Sequence, residues 1–306
     1  MVVITNDSRT VAVSNLGWVD RGALWVYEAA EAKPKRIKLS DADHLRIFEG
    51  IDDRFVVSHH FAGDRLLITV QTFDDPSVAM ASVDVRGWTA RSDGDVSAFP
   101  RAASAFVGYL NDDATGAAGY FLVEVSSAGV EVRRLDWFDA EHFDHGYQSV
   151  MEVCSLGDHD YVFSVQRSSE LVVCDRDDLS VIRRTIPLAG RRGNPQLLWV
   201  EPGPHLVALD YDTVVLLDAT TFAAQRSWLG QQSRDGAGMF LGAMSRGLRS
   251  DSVLIPRPGE GDVVEIDLAD LRIRELWTTG RQPLEAARLG NGVVARDWKT
   301  GDLLLA

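Results

Sequence analysis

Three stretches in the second half of the chain repeat one another. Val172-Val173-Cys174-Asp175 runs on to Gly190, Val214-Val215-Leu216-Leu217-Asp218 to Gly230, and Val263-Val264-Glu265-Ile266-Asp267 to Gly280. Each is an apolar strand ending in Asp, then a short turn, a strand of alternating charge and a Gly. The aspartates stand 43 and 49 residues apart. A self-similar unit of strands at that period cannot bury its apolar face alone and must stack against its neighbours.

An all-strand repeat of about 40–50 residues is the signature of a β-propeller blade. At about 42 residues per blade, the 306 residues make seven four-stranded blades in a single domain, 1–306. The fourth blade reads as strands 148–155, 160–166, 170–175 and 180–187. The fifth reads as 196–201, 205–210, 213–218 and 223–229, and the sixth as 239–245, 252–256, 262–267 and 272–278. Val214 to Leu217 is nearly continuous in apolar character, as a strand buried on both faces should be. Residues 180–186 alternate, and Arg183, Arg184, Arg272 and Arg274 blunt an outer edge. The first half is divergent. Its first blade is assigned to 11–14, 23–27, 35–39 and 45–49. The second begins at 54–61, 65–73 and 78–85, with a weak outer strand before Pro100. The third takes 105–110, 120–126 and 130–135. After Pro283 three strands remain, 285–289, 292–296 and 302–306. The leading strand 2–5 is therefore expected to join the last blade as its outer strand and close the ring, which would remove an exposed edge.

From the fourth blade onward the pattern strand–Asp–turn–strand–Gly–x–Pro recurs, as Asp175 to Gly193-Asn194-Pro195 and Asp267 to Gly280-Arg281-Gln282-Pro283. Here the chain resembles the YVTN-type and quinoprotein-like seven-bladed propellers, which share the WD40-like architecture. The fifth blade departs, with Gly236-Ala237-Gly238 in place of the proline. The resemblance implies the fold. Propellers of this kind bind proteins, cofactors or small molecules, and a few are lyases, lactonases or oxidoreductases, so it does not choose a function.

The net charge of −14 disfavours nucleic acid and anionic membrane surfaces as partners. Nothing after Met1-Val2-Val3-Ile4 reads as a secretory leader, no run nears the ~18 apolar residues of a membrane span, and only two cysteines occur, so a cytoplasmic location is expected. Cys154 and Cys174 fall on the first and third strands of one blade, which are not neighbours, and read as buried thiols.

Ligands of propellers meet the loops that join successive blades, here 50–53, 97–103, 139–147, 190–195, 230–238 and 280–283. The richest, 139–147, holds His142, His145, three carboxylates and Tyr147. Its imidazoles suit acid/base work near neutrality. A divalent metal is conceivable but not favoured, since no spaced third ligand is visible, and no other cofactor is signalled. His59, beside His60, is placed on the innermost strand of the second blade, where a core role competes with a channel role. Arg191, Arg192 and Asn194, then Gln232 and Arg234, then Arg281 and Gln282, occupy the same place in successive repeats. Guanidinium groups grip carboxylate or phosphate through paired hydrogen bonds. The plainer reading is that these arginines pair with nearby acids. Trp228 and Trp277 end outer strands and read as packing between blades.

Two readings follow. In the first, the chain is a binding module whose loop face meets a small anionic ligand or a protein partner. In the second it is an enzyme (a lyase, lactonase-like hydrolase or isomerase) using His142, His145 or His59 as acid/base groups, with the arginines holding a substrate carboxylate or a developing oxyanion.

Overall fold

The structure is a computed structural model. It describes the strands named below, residues 135–137, 176–181 and 220–223, and most of 241–306; for the strands before residue 120 it describes the backbone course alone.

Every described element is a strand, and the strands fall into antiparallel sheets of consecutive members. The first sheet holds β1 (Val2–Ile4), β2 (Thr10–Ser14), β3 (Ala23–Glu28) and β4 (Lys35–Lys38). The second holds β5 (His44–Glu49), β6 (Arg54–Ala62), β7 (Arg65–Thr72) and β8 (Ala79–Arg86). The third holds β9 (Trp88–Ala90), β10 (Ala105–Asp112), β11 (Ala117–Ser126) and β12 (Gly129–Arg134). The fourth holds β13 (Val150–Leu156), β14 (Asp160–Val165), β15 (Glu170–Asp175) and β16 (Ile182–Pro187), and the fifth β17 (Gln196–Val200), β18 (His205–Asp210), β19 (Thr213–Asp218) and β20 (Ala224–Trp228). The sixth holds β21 (Ser245–Arg246), β22 (Ser252–Arg257), β23 (Asp262–Asp267) and β24 (Ile273–Thr278). The last described sheet has three strands, β25 (Pro283–Leu289), β26 (Gly292–Asp297) and β27 (Leu303–Leu305). Contacts group the chain into two compact units, residues 1–38 with 198–306, and residues 39–197.

The fourth, fifth and sixth sheets follow the repeat, except that the opening strand of the sixth is only Ser245–Arg246 where the repeat predicts 239–245. The first half requires a correction. β1 does not join the last sheet as an outer strand; it pairs antiparallel with β2, Val2 opposite Val13 and Ile4 opposite Val11. A short connection and matched apolar residues favour this local hairpin over a distant edge. The consequence is a one-strand shift through the first half. The strand at 44–49 opens the second sheet instead of ending the first, and β9 opens the third. The connections 50–53 and 97–103 therefore lie within a sheet rather than between sheets, and His59 sits on a second strand, not a first.

Burial explains why these segments are strands. In the sixth sheet β22 and β23 are buried at nearly every position, whereas β24 is mostly exposed. The fourth shows the same fall from β14 and β15 to β16. In the first unit Val207, Leu209, Val214 and Leu216 of the fifth sheet pack with Val253, Ile255, Val264 and Ile266 of the sixth. In the second unit Leu122 of β11 joins Val153, Tyr161, Phe163 and Val172, with Trp137 tilted against Phe163 at 5.5 Å between centroids. Each fully buried large apolar side chain contributes about 1.5–3 kcal/mol. Cys154 and Cys174 are buried on β13 and β15, with β14 between them; burial, then the neighbouring Asp160 charge, pushes the Cys174 thiol up to about 12.

The repeated aspartate is a turn-former. Asp175 Oδ1 accepts the N–H groups of Asp177 (2.8 Å) and Asp178 (3.1 Å). Asp218 Oδ1 accepts those of Thr220 (2.9 Å) and Thr221 (2.7 Å), and Asp267 Oδ1 that of Ala269 (2.8 Å). A side chain that bonds its own backbone two residues on mimics a turn, which is why Asp recurs there. Asp297, 30 residues after Asp267, does the same, accepting from Lys299 and Thr300 at 2.9 Å each.

The outer strands add a second device. Arg183 on β16 reaches back to Asp175 and to Asp160 (2.7 Å), and Arg274 on β24 to Asp267 and Asp251 (3.3 Å). Each arginine ties the outer strand to acids at one end of its own sheet. In the second unit a further cluster joins the third and fourth sheets. Tyr161 donates its hydroxyl to Glu124, and Arg133 bonds Glu124 at 2.5 Å and the Arg176 carbonyl at 2.6 Å. Burial, then the hydrogen bond to Glu124, raises the Tyr161 hydroxyl well above the usual phenol range.

Candidate functional site

Three connections of the first unit are bound to one another and form the best-defined loop surface among the described residues. They are the β22–β23 turn, the segment Thr279 to Gln282 between β24 and β25, and the β26–β27 turn. The first is drawn tight by Arg257 and Asp262, which face each other in the hairpin and make a two-pronged, nearly buried pair at 2.7 and 2.6 Å. That geometry holds the turn Pro258-Gly259-Glu260-Gly261 in one shape.

Gly261 has φ +73°, open to glycine at little cost. Its carbonyl accepts three hydrogen bonds from the next connection: Thr279 N–H and Thr279 Oγ1 at 2.9 Å each, and Gly280 N–H at 3.1 Å. A Cβ at Gly261 would stand 3.0 Å from the Arg281 carbonyl oxygen, so glycine also allows the two connections to approach.

The third connection is held by Asp297. Beyond its own turn, its second oxygen accepts the Gln282 N–H at 3.2 Å, and Trp298 N–H donates to the Gln282 carbonyl at 2.8 Å. Burial would raise the Asp297 carboxyl, but the N–H groups of Thr300, Gln282 and Lys299 outweigh it and hold it below the usual carboxylate range. At the outer surface Arg281 pairs with Asp302 at 2.8 Å, both side chains about half exposed. Asp302 is lowered by the Thr300 hydroxyl and then by Arg281. Gln282 keeps its side-chain Oε1 buried with no hydrogen-bond partner among the described residues.

Chemically, the surface offers one guanidinium on a rigid support. Its present partner is a solvent-exposed carboxylate, and an exposed pair of this kind contributes little to stability. A second anion can therefore compete for Arg281 without dismantling the fold.

Of the residues singled out from the sequence, the structure brings Arg281 and Gln282 together on this surface. His59 lies in the other unit on β6, directly opposite His44 on β5, a pairing that the sequence reading missed because its strand frame was displaced. His142, His145, Tyr147, Arg191, Arg192, Asn194, Gln232 and Arg234 lie outside the described residues. Trp277 packs against Ala286, Val293 and Ala295, the sheet-to-sheet role expected of it, and Arg288 stacks on its ring at 4.5 Å. The roles of Thr279 and Asp297 were also missed; the recurrence of Asp before a Thr-containing turn was the available signal. Among the described residues, no group of three or more His, Cys, Asp and Glu is placed to hold a metal ion.

No family model matches the chain, and no curated protein matches it. Solved structures do. The β-propeller domain of Cps50 (Swd1) from Myceliophteria thermophila superposes with a TM-score of 0.66 at 11% identity, over 99% of this chain and 94% of that one. A putative 6-phosphogluconolactonase from Bacteroides fragilis gives 0.60 at 10% identity, over 99% and 95%. Sqt1 of Saccharomyces cerevisiae gives 0.53 at 10%, over 99% and 83%. At such identities the likeness speaks for the fold and for nothing finer, and on that ground the chain has the β-propeller fold.

Proposed function

We propose that this protein is a binding module, a single seven-bladed propeller over residues 1–306 whose loop face receives an anionic group carried by a small molecule or a partner protein. The observation that carries this reading is the interlocked surface around Arg281. Three connections from successive strands are fixed by Gly261, Thr279 and Asp297 before any ligand arrives. A binding surface assembled in advance loses little entropy on association. Arg281 stands at its exposed side in an ion pair that a carboxylate or phosphate can replace. Arg191, Arg192 and Arg234 hold the equivalent place in the sequence repeat and are proposed as further anion-binding residues. The net charge of −14 further supports a partner other than nucleic acid or an anionic membrane surface.

The test is a thermal-shift titration with inorganic phosphate, citrate and sugar phosphates. A compound that binds the native state alone raises the melting temperature. The rise should vanish in Arg281→Ala while the unliganded melting temperature stays unchanged. The second reading, an enzyme of the lactonase-like class, is favoured by the likeness to the putative 6-phosphogluconolactonase. It predicts turnover of a lactone that is lost in His142→Ala or His145→Ala.

A further inference from the structure

Trp298 opens the β26–β27 turn and is 46% exposed, the one large aromatic side chain so exposed among the described residues. The residue after the aspartate behaves differently in the two other aspartate turns where its side chain is described. After Asp267 it is Leu268, buried in the core with the fifth and sixth sheets. After Asp175 it is Arg176, which covers the Tyr161 ring at 5.3 Å. At Trp298 about half of an indole is left at the surface instead. A lone exposed apolar residue needs no explanation, but this one stands on the turn that also engages Arg281.

Hydrogen bonds tie both residues to one support. Arg281 Nη1 reaches Thr300 Oγ1 at 3.5 Å as well as Asp302, and the Thr300 hydroxyl donates to Asp297 Oδ1 at 3.2 Å. The same Oδ1 accepts the Lys299 and Thr300 N–H groups, so the turn keeps its shape. Trp298 N–H donates to the carbonyl of Gln282, the residue after Arg281, at 2.8 Å. The backbones that carry the guanidinium and the indole are thus joined directly, one residue from Arg281. None of these bonds uses the indole.

We infer that Trp298 is a stacking platform for a ligand held by Arg281, and that the anion received there is carried on a ring, as in an aryl or sugar phosphate. This rests on the reading that Arg281 receives an anion. A small anion without a ring can use only the guanidinium. A ring attached to it can lie on the indole, which adds dispersion and removes apolar surface of both partners from water. Tryptophan and arginine are also the residue types that dominate binding energy where they cluster. Their backbones are fixed before the ligand arrives, so little ordering is left to do on binding. The anion then orients the ligand, and the ring is what the site selects.

Titration of the full chain with methyl phosphate, phenyl phosphate and glucose 6-phosphate tests this, because the three esters share one anionic group and differ in the ring. The wild type should bind at least one ring ester about tenfold more tightly than methyl phosphate. A preference for phenyl phosphate identifies an aryl ligand, and a preference for glucose 6-phosphate a sugar. Trp298→Ala should bind the three esters alike, and Trp298→Phe, which keeps a ring, should retain part of the preference. Arg281→Ala should weaken binding of all three. Fluorescence adds a readout independent of affinity: the preferred ring ester should change indole emission in the wild type and not in Trp298→Phe. Equal affinity of the wild type for all three esters, a ring preference undiminished in Trp298→Ala, or an emission change that persists in Trp298→Phe would each overturn this inference and leave Arg281 as an anion site. Absence of binding by all three esters would overturn both.

Discussion

The hairpin β26–β27 and the hairpin β23–β24 begin alike and finish differently. Both open on an aspartate whose Oδ1 bonds the N–H two residues on, Asp297 to Lys299 and Asp267 to Ala269. After the turn, β24 sends Arg274 back to Asp267 and Asp251, and its edge is charged. β27 sends three leucines, while the second oxygen of Asp297 turns to Gln282 in the loop surface. The aspartate is thus a structural constant of the repeat. What varies is where its spare bonding capacity goes: to the sheet's own outer strand in one case, to a neighbouring connection in the other.

Removing the aspartate should separate the two hairpins most clearly. Asp297 is buried and supports two connections, so Asp297→Ala leaves several N–H groups without their acceptor. It should cost about 2–3 kcal/mol in denaturant unfolding, and the same change at Asp267 should cost less. Acid should expose the same difference. The Asp297 carboxyl is held low by N–H groups, and the Glu285 carboxyl is held low because the amino-terminal charge and Arg296 outweigh its burial. A carboxyl lowered on folding contributes stability above its unfolded value and loses it as pH falls through its folded value. Unfolding midpoints should therefore fall below about pH 4–5, and less so in Asp297→Asn. A smaller effect is expected at the edges. Arg274→Leu leaves the turn intact and removes the partly exposed ion pairs to Asp251 and Asp267, so melting should fall only slightly. The smallest effect on stability is expected at Arg281→Ala, which removes only an exposed pair with Asp302.

The same contrast explains how much was legible in the sequence. Sheets four to six announced themselves through the spacing of Asp175, Asp218 and Asp267, because a turn that needs an Asx side chain writes a residue at a fixed place. The first three sheets lack that mark, so their strands could be counted but not framed. Assigning Val2–Ile4 to the far end of the chain then moved every boundary by one strand and hid the facing positions of His44 and His59. At the candidate surface the charge of Arg281 was legible. Its supports were not, because the bonds of Gly261, Thr279 and Asp297 depend on which connections meet in three dimensions. The buried Arg257–Asp262 pair was equally hidden, since a register, not a motif, sets those residues opposite each other.

The central claim is that the interlocked loop surface receives an anion through Arg281. Isothermal titration of the wild type, Arg281→Ala and Thr279→Val with the phosphate or carboxylate that raises the melting temperature most is the direct measurement. The account predicts saturable binding to the wild type, weakened at least about tenfold in Arg281→Ala (about 1.4 kcal/mol) and to a lesser degree in Thr279→Val, which loosens the support. Equal binding by wild type and Arg281→Ala, or no binding of any phosphate or carboxylate to the wild type, would contradict it.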